Sequence, residues 1–303
     1  MNNNSVKVNS FKAWLLAARP KTLSGAAVPV LIGTALAWHY SAGAIAIVPT
    51  ILCFAFAFIM QIDANFINDY FDFIRGNDDE SRLGPPRACA QGWVTPSAMK
   101  KVILATTTIS CIIGLPLVLY GGAVMILIGL LCVVFCFLYT TCLASRGLGD
   151  LLVLIFFGVV PVCITYFLEM SSSDTPIIKI EVIIASIACG LVVDSLLIVN
   201  NFRDIENDRK AGKNTLIVRL GQQNALWLYL WVGIVACLLN VIFLFYNMPW
   251  AFFLPLFYII FHIMAFIKMM RIGKGRELNL VLADTARNMF VYGLLVSIGI
   301  VLG

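Results

Sequence analysis

The chain has 303 residues, of which 61% are hydrophobic and 12% charged, and its mean hydropathy is +0.94. A soluble domain is about half apolar and about a quarter charged, so the composition excludes that class and describes a polytopic membrane protein. The net charge of +5 does not point to nucleic acid, because Lys and Arg fall in short blocks between apolar runs, the pattern of membrane topology.

Residues 1–10 are largely polar and are expected to be disordered. They carry no short apolar core with a small-residue cleavage site, so the first span is expected to act as the insertion signal. Phe11 to Arg19 mixes aromatic and basic residues, which suits a helix lying in the membrane interface. Pro20 then reorients the chain. The remainder, 11–303, reads as a single all-α transmembrane domain.

A span needs about 20 mostly apolar residues. Nine such stretches are predicted: 22–41, 43–67, 99–119, 122–141, 150–169, 179–201, 225–246, 248–269 and 284–302. Connections near Tyr40 to Gly43, at Gly121-Gly122 and at Asn247 to Pro249 are tight. Two polar connections are long, 68–98 and 202–224, and are expected to cap a site. With the N-terminus placed in the cytoplasm, 20 of the 21 basic residues lie on or near the cytoplasmic side, and only Lys179 lies opposite. The positive-inside rule selects that orientation, with the C-terminus outside.

Each long connection opens with an acidic motif. Asn68 and Asp72 are four apart and share one helical face, as do Asn200, Asp204 and Asp208. Asp69 points off that face, and Asp78 follows downstream. Hard oxygen ligands of this kind suit Mg²⁺, which binds through one or two carboxylates together with substrate phosphates. Two clusters can hold two Mg²⁺ across one diphosphate and neutralise a leaving group. Basic residues follow each motif: Arg82 and Arg87 after the first, Lys210 and Lys213 after the second. Arg19 and Lys21 approach from the N-terminal side. Arg grips phosphate oxygens in pairs, so these six are candidate diphosphate ligands.

Other groups carry weaker signals. Asp63 and Asp194, with Gln61, lie inside spans, where ionisable groups are costly. They either support the metal site or hydrogen-bond neighbouring helices. Tyr139, Arg146 and Asp150 sit at the ends of the fourth and fifth spans and are candidate acceptor contacts. The nine Cys are scattered, and the only histidines are His39 and His262, which excludes a structural zinc site. A Mg²⁺- or phosphate-coupled transporter is the rival from a different class. It should carry charges deeper in broken helices, whereas these acids cluster at one face.

At these residues the chain resembles the UbiA superfamily of intramembrane aromatic prenyltransferases. Asn68-Asp69-Tyr70-Phe71-Asp72 is similar to the start of its NDxxDxxxD motif, and Asp204 to Asp208 matches its DxxxD motif. The first motif's last acid would fall at Gly76; here an acid arrives at Asp78. Further blocks are Ala18 to Leu23, Arg82 to Pro85, Arg146 to Asp150 and Asp208 to Leu216. They look most like the branch that prenylates 1,4-dihydroxy-2-naphthoate.

The resemblance implies a Mg²⁺-dependent enzyme of the bacterial cytoplasmic (inner) membrane. It would transfer a polyprenyl group from polyprenyl diphosphate to 1,4-dihydroxy-2-naphthoate with decarboxylation, giving demethylmenaquinone. Asp72 and Asp204 would be catalytic. Asn68, Asp69, Asp72, Asp78, Asn200, Asp204 and Asp208 would form the metal set. Alternative acceptors within the superfamily are 4-hydroxybenzoate, homogentisate or haem.

Overall fold

The computed structural model describes residues 6–76, 82–170 and 177–303. Asp78 therefore lies outside the described residues, as do residues 1–5 of the N-terminal segment. Among the described residues every regular element is helical, and nine helical stretches are long and apolar enough to cross a membrane. They are Phe11–Tyr40, Ile47–Ile74, Pro96–Gly121, Val124–Arg146, Gly149–Glu169, Ile180–Arg203, Leu216–Tyr246, Pro249–Ile272 and Leu278–Val301. All nine predicted spans are present.

Local chemistry sets their ends. The Ser10 hydroxyl accepts from the Ala13 N–H and caps the short helix Phe11–Ala18. Asn9 accepts from the Thr95 N–H, so the segment just before that helix is tied to the fold. Arg19 takes a positive φ of 51°, and Pro20 opens the next turn. Thr95 and Thr215 cap the third and seventh spans through hydrogen bonds to Ala98 and Val218. Such caps satisfy N–H groups that a helix start leaves open.

Of the boundaries that differ from those read off hydropathy, two matter for the site. The second span continues to Ile74 instead of ending at 67. Tyr70, Phe71 and Phe73 still pack on a core with Ala13, Ala17, Met99 and Ile103, so burial carries the helix past the polar residues. The seventh starts at Leu216 and bends at Gly221, whose φ of +76° and ψ of 166° only glycine adopts readily. The first acidic motif thus lies on a helix end, not in a loop.

The sixth span is central and the most deeply buried. It packs on the seventh, ninth and fifth spans, and the first packs on the ninth, fifth and second. The fifth and sixth approach through glycines. A Cβ on Gly158 would lie 2.5 Å from the Ser186 carbonyl oxygen and 2.7 Å from the Gly190 Cα. Without water to drive association, such close backbone packing is a main source of helix–helix attraction in lipid. The fourth span is the most peripheral, with Leu127, Leu130, Leu131 and Val134 exposed on its surface.

Candidate functional site

The last two turns of the second span carry the first motif. Asn68 and Asp72 face a cavity. The Asn68 Oδ1 accepts from the Thr140 hydroxyl at 2.8 Å, and Asp72 lies 3.3 Å from the Arg87 guanidinium. Asp69 turns the other way. It is fully buried and accepts the Ala88 and Cys89 N–H groups at 2.8 and 2.9 Å, with Arg19 3.7 Å away. Asp69 therefore anchors the loop that delivers Arg87. Asp63, also buried, gives both oxygens to the Thr106 and Thr107 hydroxyls of the third span. For that residue, helix–helix hydrogen bonding is what the structure contains.

The second motif is held by Arg203, which is only 3% exposed. Its guanidinium donates to both Asp204 oxygens at 2.9 and 2.6 Å, to Asn200 at 2.7 Å and to Asn279 at 2.7 Å. Asn279 in turn donates to the Leu83 carbonyl at 2.8 Å. Through this relay the ninth span, the sixth span and the loop after the first motif share one clamp. Asp208, on the short helix Ile205–Lys210, lies 3.6 Å from the Lys213 ammonium.

The two motifs meet around two neighbouring chambers of about 460 and 150 Å³ that share part of their lining. Asp204, Asp208, Lys213, Arg75 and Arg82 line both chambers. Lys210 lines the larger, and Asn68, Asp72, Arg87, Asn200 and Tyr139 line the smaller. Arg19, Lys21, Asp69, Arg146 and Asp150 are not in the lining. Arg146 is exposed and Asp150 is buried.

Three members escaped the sequence reading. Arg75 donates to the Thr140 and Thr141 carbonyls at 3.0 and 2.7 Å, which ties the second span to the fourth and points its head into both chambers. Thr140 orients Asn68. Arg203 was legible only as a topology charge, although it directly precedes Asp204.

The electrostatics favour a cation with an anion. Burial pushes the Asp208 carboxyl up to about 6; Lys213 pulls it down, and the negative charges of Asp204 and Asp72 push it up. Each cavity carboxylate is already matched to a basic group: Asp72 to Arg87, Asp204 to Arg203, Asp208 to Lys213. A divalent ion could take the carboxylates while a multiply charged anion takes the freed guanidinium and ammonium groups. Among the described residues, no three His, Cys, Asp or Glu side chains are close enough to hold a metal unaided. Mg²⁺ fits that arrangement, because it commonly uses one or two carboxylates and completes its shell with substrate oxygens and water.

Comparison with known proteins agrees with this chemistry. The sequence pattern of the UbiA prenyltransferase family matches residues 26–294. A 1,4-dihydroxy-2-naphthoate octaprenyltransferase from Escherichia coli (strain K12) is 35% identical over 72% of each chain. Its namesake from Mycobacterium tuberculosis (strain ATCC 25618 / H37Rv) is 33% identical over 95% of this chain and 96% of that one. Among solved structures, a UbiA homolog from Archaeoglobus fulgidus bound to DMAPP and Mg²⁺ superposes with a TM-score of 0.61. It covers 94% of this chain and 99% of that one at 15% identity, a likeness of fold.

Proposed function

Because the chain belongs to the UbiA prenyltransferase family, we propose that it transfers a polyprenyl group from polyprenyl diphosphate to 1,4-dihydroxy-2-naphthoate with loss of CO₂, a step of menaquinone biosynthesis. The observation that carries this reading is the meeting of both acidic motifs with Arg75, Arg82, Arg87, Lys210 and Lys213 around two neighbouring chambers at a helix-bundle end. The relatives that match most of the chain are named for that acceptor.

Asn68, Asp72, Asp204 and Asp208 would hold Mg²⁺, two ions for one diphosphate. Asp78 lies outside the described residues, and Asp69 serves the loop. When bound, Mg²⁺ neutralises the departing diphosphate. Arg82, Arg87, Lys210 and Lys213 grip its oxygens, and Arg75 joins them. Arg203 keeps Asp204 and Asn200 oriented. The apolar spans below the cavity exclude water, which protects an allylic cation from hydrolysis. Tyr139 borders the acceptor. The protein resides in the bacterial cytoplasmic membrane with the cavity and N-terminus on the cytoplasmic side, following its basic residues.

The test is direct. Membranes containing the protein are incubated with one prenyl diphosphate, Mg²⁺ and a panel of ring acids, and products are identified by mass. A prenylated, decarboxylated naphthalenediol is expected. Product formed from 4-hydroxybenzoate or homogentisate alone would overturn the acceptor, and no prenylated ring at all would overturn the reaction.

A further inference from the structure

The loop that carries Arg82 and Arg87 is anchored at both ends, by different helices. At its Arg87 end, Asp69 of the second span accepts the Ala88 and Cys89 N–H groups. At its Arg82 end the anchor comes from the ninth span, of which no described residue lines either chamber. Asn279, in the first turn of that span, donates to the Leu83 carbonyl at 2.8 Å. Arg276, just ahead of the span, donates to the Arg82 carbonyl at 3.3 Å.

The same Asn279 side chain also holds the other half of the site. Its Oδ1 accepts from Arg203 Nη1 at 2.7 Å. Arg203 is buried and donates in turn to Asp204 and Asn200. Gly84 lets the loop lie directly on that guanidinium: a Cβ there would sit 2.9 Å from Arg203 Nη2 and 3.2 Å from Arg82 Nη2. One amide therefore sets the spacing between Arg82, from the first polar connection, and Asp204, from the second. Both residues line both chambers.

That task needs an amide. Asn offers one carbonyl oxygen and two N–H donors, and all are in use here. The oxygen takes Arg203, and the nitrogen donates to the carbonyls of Leu83 and Arg276. A carboxylate only accepts and would lose both carbonyls, and an aliphatic side chain would lose all three bonds. Helix capping accounts for the bond to Arg276, three residues back, but for neither bond that leaves the ninth span.

We infer that Asn279 is a positioning residue for the prenyl diphosphate: by tying the Arg82 end of the loop to Arg203, it fixes how far Arg82 stands from Asp204, and through Arg82 it sets the affinity for the diphosphate. The inference rests on the proposed reaction, in which Arg82 grips diphosphate oxygens. Arg87, at the end tied down by Asp69, is held independently of Asn279.

The test compares the wild type in detergent with Asn279→Asp, Asn279→Leu, Arg82→Ala and the double variant Asn279→Leu with Arg82→Ala. It measures thermal unfolding, Mg²⁺-dependent binding of farnesyl diphosphate, and KM for the prenyl diphosphate and for the ring acid. Asn279→Asp keeps an acceptor for Arg203, and an acid in the first turn favours a helix, so this variant is expected to fold. Asn279→Leu separates the lost bonds from any effect of added negative charge. Each is expected to weaken prenyl diphosphate binding about tenfold, the worth of one or two net hydrogen bonds, and to leave KM for the ring acid unchanged. Because Asn279 acts through Arg82, the Asn279→Leu loss is expected to vanish in the Arg82→Ala background. If Asn279→Leu does not fold, Asn279→Asp supplies the double variant. A residue that only capped its own helix would lower the unfolding midpoint and leave diphosphate affinity at the wild-type value. That outcome, or a loss as large without Arg82 as with it, would overturn this assignment alone. A wild type that binds no prenyl diphosphate would overturn the proposed reaction with it.

Discussion

Asp69 and Asp72 show how little distance separates a structural acid from a functional one. An α-helix turns about 100° per residue, so three positions bring Asp72 onto the Asn68 side while Asp69 points into the loop. Asp72→Ala and Asp204→Ala are both expected to abolish product formation; the Asp72 variant keeps a thermal unfolding midpoint in detergent near that of the wild type, whereas the Asp204 variant lowers it because the buried Arg203 guanidinium loses its carboxylate partner. Asp69→Ala should show the reverse emphasis. It leaves the buried Ala88 and Cys89 N–H groups unpaired, at about 1–3 kcal/mol each, and a clear drop in the unfolding midpoint would register it. Arg87 touches Asp72 from the cavity wall, so Arg87→Ala is expected to raise KM for prenyl diphosphate more than KM for the ring acid. The opposite ratio would move Arg87 to the acceptor.

At the scale of elements, helix ends do the positioning. The second span brings Asn68 and Asp72, the sixth brings Asn200 and Arg203, the fourth brings Tyr139 and Thr140, and the ninth brings Asn279. Their mutual distances depend on how closely the helices approach one another. Gly190 is one such point: a Cβ there would lie 2.7 Å from Leu154 Cδ1 and 2.9 Å from its carbonyl oxygen. Gly190→Leu is expected to push the fifth and sixth spans apart and yield protein that aggregates in detergent. A monodisperse, fully active variant would contradict the packing account. Arg219 donates to the Arg146 carbonyl, and Gly221 two residues later sets the bend in the seventh span. Its backbone angles cost a non-glycine residue about 1–3 kcal/mol, so Gly221→Ala should lower stability with little change in the chemistry at Asp72.

Among the described residues the molecule is an apolar bundle with both acidic motifs and the bases around them at one end. Removing divalent metal with excess chelator is expected to stop turnover and to weaken prenyl diphosphate binding, both restored by added Mg²⁺; undiminished turnover in chelator would exclude the metal's role. The nine spans, the pairing of the two acidic motifs and the family were legible in the linear sequence. The bilayer imposes a length and an apolar composition on every spanning helix, and i, i+4 spacing places Asn68 with Asp72 whatever surrounds them. The partners that Asp69 finds at Ala88 and Cys89, the Arg203 clamp and the reach of Arg75 to Thr140 were not legible. These contacts join residues far apart in the chain, with the exception of Arg203 and its neighbours Asn200 and Asp204. They follow from how helices rotate and dock against one another. That docking is governed by side-chain packing and by glycine contacts such as Gly158 on Gly190, which hydropathy does not record.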